Sequence, residues 1–122
     1  MAELQDALQP VLPDDAANAL LAGRAWRPDV DGPSVVAVRN GELVDVSATF
    51  PTMRDLCEMT DPAAALHAAG GVQIGDVDAV LANTPPESRD RSKPWLLAPI
   101  DLQAIKAAGV TFVLSMIERV IE

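Results

Sequence analysis

The residues best suited to chemistry lie near the end of the 122-residue chain, where Ser115 and Glu118 fall on one face of a predicted helix. A glutamate can transfer protons if it is partly buried, which makes Glu118 a candidate acid or base. The Ser115 hydroxyl has no useful basicity near neutral pH and cannot itself act as a base. The alternative is a solvated polar face opposite Leu114, Ile117 and Ile121.

Other reactive residue types favour structural roles. His67 is the only histidine, and it lies on a predicted alanine-rich helix with no second histidine or cysteine at metal-binding spacing. Cys57 follows Leu56 at a helical position, which predicts a buried apolar role rather than a nucleophile. Trp26 and Trp95 are the largest apolar side chains, so we expect them to anchor a core or an interface.

Charge and composition exclude several classes of function. The formal charge is −9 with only 9 lysines and arginines, so nucleic acid is not an expected partner. No apolar run approaches the roughly 20 residues that span a bilayer. The start of the chain lacks a signal-peptide pattern, and a single cysteine fits a reducing compartment, which together predict a cytoplasmic protein. Three acidic residues lack the spacing of a calcium loop and are expected at turns and the surface: Asp29, Asp31 and Asp45.

The clearest local signal is a β-hairpin over residues 34–47. Asn40-Gly41 supplies the positive φ angles of a two-residue turn. The predicted register pairs Arg39 with Glu42 and continues through apolar pairs on both faces, so we expect layers on both sides of the hairpin. Upstream, Asp14 and Asp15 could cap a helix, although the stretch to residue 26 could equally be a strand.

Two short helices should follow the hairpin. The first begins near Pro51 and Thr52 and reaches Met59, and the second runs from Asp61 through Ala69 before Gly70-Gly71. Residues 72–83 are apolar without a clean period. Proline and polar residues make 84–94 a loop or linker.

These elements predict an α+β fold with three parts. Residues 1–83 form a small mixed module beginning with an arm over 1–13, residues 84–94 form a linker, and residues 95–122 begin another unit. In that unit a strand should pass into an amphipathic helix near 112–114. The helix has no stop signal before Glu122, so the chain is expected to be part of a longer protein.

Several phrases of the sequence resemble the fumarylacetoacetate hydrolase family, in particular a bacterial branch that dehydrates 2-keto-3-deoxy sugar acids. Residues 109–118 (GVTFVLSMIE) match the glycine and glutamate of the family's G-x-N-Y-x-x-H-x-x-E motif, with Ser115 in place of the histidine. The wider phrases are PWLLAPIDLQAIKAAGVTF, LAGRAWRPDVDGPSVVAVRNGELVDVS and FPTMRDL. The resemblance covers about residues 20–122, which would be the N-terminal portion of a family member.

The resemblance implies an enzyme that uses a divalent metal, usually magnesium, held by carboxylates that include an E-x-E pair. No E-x-E occurs in this sequence, so the ligands would lie beyond Glu122 and the chain alone would be inactive. The implied parent is a lyase or a hydrolase acting on a 2-keto acid, with Glu118 transferring protons and Ser115 orienting substrate or water. The expected partner is the rest of the catalytic domain or a homo-oligomer. The alternatives are a stand-alone binding or oligomerisation module and an unrelated small α/β protein.

Overall fold

The structure, a computed structural model, is described for residues 12–15 and 19–102. These residues form an antiparallel five-stranded sheet of order β4-β3-β2-β1-β5 with short helices, which confirms a small mixed α+β domain. The strands are β1 Ala22–Arg27, β2 Gly32–Arg39, β3 Glu42–Asp45, β4 Val72–Asp76 and β5 Trp95–Leu97. The helices are α1 Met53–Cys57, α2 Pro62–Ala68 and α3 Val77–Ala82, followed by a short 3-10 turn at Pro86–Ser88.

The predicted hairpin is confirmed in turn and register. Asn40 and Gly41 have φ angles of 52° and 77°, the left-handed values that a tight two-residue turn requires. Arg39 pairs with Glu42, and the apolar pairs follow in step along β2 and β3. Beyond the ladder, the N–H of Val46 donates to the carbonyl oxygen of Val35 at 2.8 Å, so the two strands stay in register to the base.

Strand β2 is buried on both faces, as the apolar pairs predict. Residues 34–37 are all buried, so successive side chains enter two separate cores. One core lies under α1 and α2 and contains Val35, Ala37, Val44, Val46, Phe50, Met53, Leu56, Leu66 and Ala69. The other lies under α3 and contains Ala25, Val36, Leu43, Val77, Val80 and Leu81. The sheet is therefore the middle layer of three.

The two helices after the hairpin form where the sequence predicts them. Thr52 caps α1 through a reciprocal pair of hydrogen bonds with Asp55, the arrangement known as a capping box. Asp61 caps α2 by accepting from the N–H of Ala64, and Pro62 occupies the first helical position. Ala69 ends α2 in an extended conformation before the two glycines.

Residues 72–83 lack a single period because they contain two elements. Strand β4 passes directly into α3 at Asp76, whose carboxylate caps the helix by accepting from the N–H of Ala79. The N–H of Val77 donates to the carbonyl oxygen of Gly41 at 2.9 Å, which ties α3 to the hairpin turn. Ala22–Arg27 is a strand, and residues 19–21 before it are irregular. Residues 16–18, where a helix capped by Asp14 or Asp15 would begin, lie outside the described residues.

The Asn83 side chain makes four of the hydrogen bonds that hold the predicted linker. The Asn83 amide donates to the carbonyl oxygens of Asp90, Lys93 and Pro94 at 2.9, 3.2 and 3.0 Å, and its oxygen accepts from the N–H of Asp90 at 2.6 Å. After this loop, β5 joins the sheet beside β1. The division into three parts stays a prediction, and the predicted arm up to residue 11 and the strand and helix near 112–114 lie outside the described residues.

The close approach of Gly71 to β3 generates a stability prediction. A Cβ at Gly71 would clash with the carbonyl oxygen of Asp45 and lie 2.7 Å from Cγ1 of Val44, whereas a Cβ at Gly70 would meet nothing within 4 Å. Gly71→Ala should therefore lower the free energy of unfolding by about 1–3 kcal/mol in urea titrations, because strand backbone must move. Gly70→Ala is the matched control and should change it little. Equal losses in the two variants would contradict this packing.

Candidate functional site

The residues that the sequence singles out for catalysis, Ser115 and Glu118, lie outside the described residues. The described residues form the domain that precedes the segment containing Ser115 and Glu118. Three features of this domain are candidates for a functional role. They are a hydrogen-bonded network around a buried carboxylate at the end of β3, the hydrogen bonds that Asp101 makes to α1, which we call the Asp101 tie, and an apolar groove on the α3 side of the sheet.

Asp45 corrects the prediction of a surface or turn group. Only 8% of its side chain is exposed, and Arg27 Nη1 donates to its Oδ2 at 2.6 Å. The N–H of Ser47 donates to its other oxygen at 2.8 Å. Asp45 is the last residue of β3, between Val36 of β2 and Val72 of β4, so neighbouring strands cover it. Sequence spacing could not show this, because the arginine that compensates the charge is 18 residues away.

The same arginine binds the exposed Asp29, which is at a turn as predicted. Its Nε and Nη2 donate to the two Asp29 oxygens at 3.2 and 2.6 Å, so one guanidinium joins a buried and an exposed carboxylate. Burial acts to raise the pKa of Asp45, but hydrogen bonds from Ser47, Arg27 and Ser34 outweigh it, and the pKa is lowered. The network therefore holds a charged carboxylate and is not poised to transfer protons near neutral pH.

Asp101 ties the chain after β5 to the first turn of α1. Its two oxygens accept from the N–H groups of Met53 and Arg54 at 2.7 and 3.1 Å, and only 12% of the side chain is exposed. Arg24 Nε lies 3.7 Å from Asp101 Oδ2, and Arg24 Nη1 donates to the carbonyl oxygen of Ile100 at 2.7 Å. Burial acts to raise the pKa of Asp101, but the N–H donors, that of Leu102 included, and Arg24 outweigh it and lower the pKa.

The apolar groove opens on the α3 side of the sheet and encloses about 250 Å³. It is lined by Leu12, Pro13, Leu21, Ala22, Gly23, Arg24, Val36, Val38, Leu43, Val77, Leu81, Leu96, Leu97 and Pro99. Gly23 forms part of it because the chain carries no side chain there: a Cβ at Gly23 would meet nothing within 4 Å. The sequence pattern did not predict this groove, and the one sequence feature that could have indicated it is a glycine inside a strand.

The two tryptophans stack on each other and are half-buried. Neither belongs to either core, so the predicted role as core anchors is wrong, and the alternative of an interface anchor stays a prediction. Their rings stack with centroids 6.2 Å apart and planes inclined by 24°, and the Arg89 guanidinium lies 4.6 Å from the centre of the Trp95 ring. They pair across β1 and β5 and help to join the edge strand to the sheet. A shallow basin beside them is lined by Trp26, Pro28, Asp31, Arg91 and Trp95.

Cys57 corrects a second prediction, because its side chain is exposed rather than buried. Helix α1 has only five residues, and it buries Met53 and Leu56 while Cys57 ends it on the outer side. His67 is also exposed, on α2, which agrees with the structural or exposed role predicted for it.

Within residues 12–15 and 19–102 there is no group of three or more histidine, cysteine, aspartate or glutamate side chains that could hold a metal ion. No helix in the same part of the chain is long and apolar enough to cross a lipid bilayer.

Comparisons with known proteins give no relative. No family model matches the chain, and no curated protein or solved structure matches it.

The Asp45 network generates a prediction for stability against pH. Because the folded-state pKa of Asp45 is lowered, its contribution is present above the unfolded-state pKa and is lost as the pH falls through the folded-state pKa. Asp45→Asn should lower the free energy of unfolding by roughly 2 kcal/mol at pH 7, and the gap to the parent should narrow as the pH falls below the ordinary value of 3.8.

Urea titrations at several pH values measure this gap. The matched control is Asp29→Asn, which removes the exposed partner of the same arginine and should change the unfolding midpoint little at any pH. A gap between Asp45→Asn and the parent that stayed constant down to pH 2 would show that the carboxylate charge contributes nothing.

The Asp101 tie generates a second stability prediction. Asp101→Ala leaves the first N–H groups of α1 and the Arg24 guanidinium without this carboxylate, so we expect a loss of about 1 kcal/mol, as for removal of a helix-capping side chain. Hydrogen exchange of the Met53 and Arg54 amides should speed up in Asp101→Ala and not in the control Asp61→Ala, which removes the cap of α2 instead. Equal exchange in both variants would contradict the tie.

Proposed function

We propose that this chain is the N-terminal part of a metal-dependent enzyme of the fumarylacetoacetate hydrolase family that acts on a 2-keto acid in the cytoplasm. The reaction is dehydration of a 2-keto-3-deoxy sugar acid or hydrolysis of a carbon–carbon bond. The sequence phrases quoted above support the family. Within such an enzyme, residues 19–102 serve as a non-catalytic module that positions the chain entering the catalytic unit.

The Asp101 tie is the observation that carries this positional role. It fixes the backbone just before residues 103–122, the segment that contains Ser115 and Glu118, by bonding it to the sheet through Arg24 and to α1 through two N–H groups. A catalytic helix that must hold its side chains within a fraction of an ångström benefits from entry at a rigid point. The Asp101 tie therefore supports a role for the domain as a scaffold, in which the charged side chains stabilise the fold rather than take part in catalysis.

In the proposed reaction, Glu118 transfers protons and Ser115 orients substrate or water. Dehydration needs a base to remove a proton beside a polarised keto group and an acid to release water, so one glutamate and a second group suffice. Because a serine stands where the family's histidine would be, we favour the lyase over the hydrolase.

Magnesium would polarise the keto group, but the described residues do not suit it. The buried Asp45 and the half-buried Asp101 already bond arginines and backbone N–H groups, and no E-x-E pair occurs in the sequence. We therefore assign no magnesium ligand within the described residues and derive no step through the metal.

The second candidate is a stand-alone binding or oligomerisation module. The apolar groove favours this second candidate. An apolar groove of about 250 Å³ can bind a partner, and such binding requires no catalytic group.

The intact mass of the natural gene product separates the two candidates. We expect a product several times heavier than the 12.9 kDa of this chain, with Mg²⁺-dependent turnover of a 2-keto-3-deoxy sugar acid. A product of 12.9 kDa would instead favour the binding module.

In the full product, Glu118→Gln should reduce kcat by about 100-fold or more, because general acid–base groups contribute at least that much. The matched control is Glu122→Gln, four residues later in the same segment, which should leave kcat within about twofold. Unchanged turnover in Glu118→Gln would remove the glutamate from the mechanism.

A further inference from the structure

The apolar groove lies where the described chain ends. Leu97 and Pro99 line it, and Ile100 and Leu102 follow with 41% and 64% of their surface exposed. The groove and these exposed side chains together form a continuous apolar surface in contact with water. Burial of such a surface by another segment is favourable, so we expect it to be an interface. Two segments adjoin the groove and are available to cover it: the chain that continues from Leu102, and residues 1–11, which lead into Leu12 and Pro13 of the lining.

We propose that the groove binds the chain's own residues 110–121, in the same molecule, through the apolar stripe of Leu114, Ile117 and Ile121. The inference does not depend on the proposed enzymatic role, since it concerns only how the chain packs. It places the apolar stripe against the α3 side of the sheet and leaves Ser115 and Glu118 on the outward face.

Reach and chemistry both favour this segment. Residues 103–109 can span up to roughly 23 Å when extended, which is enough for a return from Leu102 to a groove lined by Pro99. The stripe repeats at helical spacing and is apolar, matching the groove lining. The other segment beside the groove, residues 1–11, also has large apolar residues, but it contains two acidic residues and a proline that would interrupt a helix before Val11, so it is the poorer match.

The groove also lacks an uncompensated charge that would oppose burial. Its one charged lining residue is Arg24, whose Nη1 donates to the carbonyl oxygens of Ala98 and Ile100 at 3.2 and 2.7 Å and whose Nε faces Asp101. Docking an apolar stripe beside it therefore breaks no ion pair and strands no polar group.

Gly23 allows the groove to be filled without damage to the sheet. Gly23 is an internal residue of β1, and a Cβ there meets nothing within 4 Å, so Gly23→Val places branched carbon in empty space and favours the strand. The valine would occupy volume that the docked stripe needs. The matched control is Gly70→Val, which also meets nothing within 4 Å but lies outside the groove.

Limited trypsin digestion of the full 122-residue chain reads out docking, because Arg119 places a cleavage site in the docked segment and Lys106 places one in the residues that connect this segment to Leu102. Gly23→Val should speed cleavage at these sites by about tenfold or more while circular dichroism and the unfolding midpoint of the domain are retained, and Gly70→Val should not. Equal rates in the parent and Gly23→Val would overturn the proposal.

A second pair of variants keeps the test independent of the sheet. Ile117→Asn removes one apolar group from the stripe and should speed cleavage at Lys106 to a similar degree, whereas Ser115→Asn, on the outward face, should not. Acceleration by both, or by neither, would overturn the assignment of the stripe.

Cross-linking identifies the occupant. In a Cys57→Ser background, Val38→Cys in the groove and Ile117→Cys in the stripe should form a disulfide within one chain under mild oxidation, seen by mass spectrometry after digestion. A disulfide between two chains would overturn docking in the same molecule in favour of exchange with a second copy. Absence of a disulfide between these two cysteines would overturn the proposal. A disulfide from Val38→Cys to a cysteine placed at Leu8 instead would also overturn it, because residues 1–11 would then occupy the groove.

Discussion

Burial of β2 on both faces is the constraint on which the rest of the structure depends. A strand whose residues 34–37 are all buried needs a layer of side chains on each side, and a hairpin alone supplies neither. Helices α1 and α2 supply one layer and α3 the other, with β1 and β3 protecting the edges of β2. The short helices are stable because they pack on this sheet, since helices of five to seven residues are not stable alone.

Charged residues in the described domain act mainly as ties between strands and segments. Arg27 joins the end of β3 to the turn after β1 through Asp45 and Asp29. Arg24 joins β1 to the chain after β5 through Asp101, and Asp101 also bonds α1. Both carboxylates have lowered pKa values. Burial destabilises their charged forms, but hydrogen-bond donors and the neighbouring arginines stabilise these forms by more. Groups held in this way are suited to fixing geometry, and a general acid or base near neutral pH needs the opposite shift.

The proposed scaffold role and the proposed docking of residues 110–121 describe one physical arrangement. The Asp101 tie fixes where the chain leaves the sheet, and the groove offers an apolar surface beside that exit. A helix entering at a fixed point and packed along an apolar groove would present its polar face in a defined direction. A catalytic helix requires such a fixed orientation of its polar face. A helix that binds a partner through its polar face requires it as well.

The sequence by itself determined the local structure. The Asn40-Gly41 turn, the hairpin register and the caps at Thr52 and Asp61 follow from interactions among residues only a few positions apart, so their patterns are readable. Burial on both faces of β2 was also predictable from its consecutive apolar residues.

Only the tertiary structure decided what depends on contacts between distant segments. Burial of Asp45 needs Arg27, the Asp101 tie needs an amide pair 47 and 48 residues away, and the groove needs the hollow at Gly23 beside β5 and α3. The exposure of Cys57 likewise follows from which side of a one-turn helix meets the sheet. Such long-range pairings leave no periodic signal, because each is set by where the strands bring their ends together.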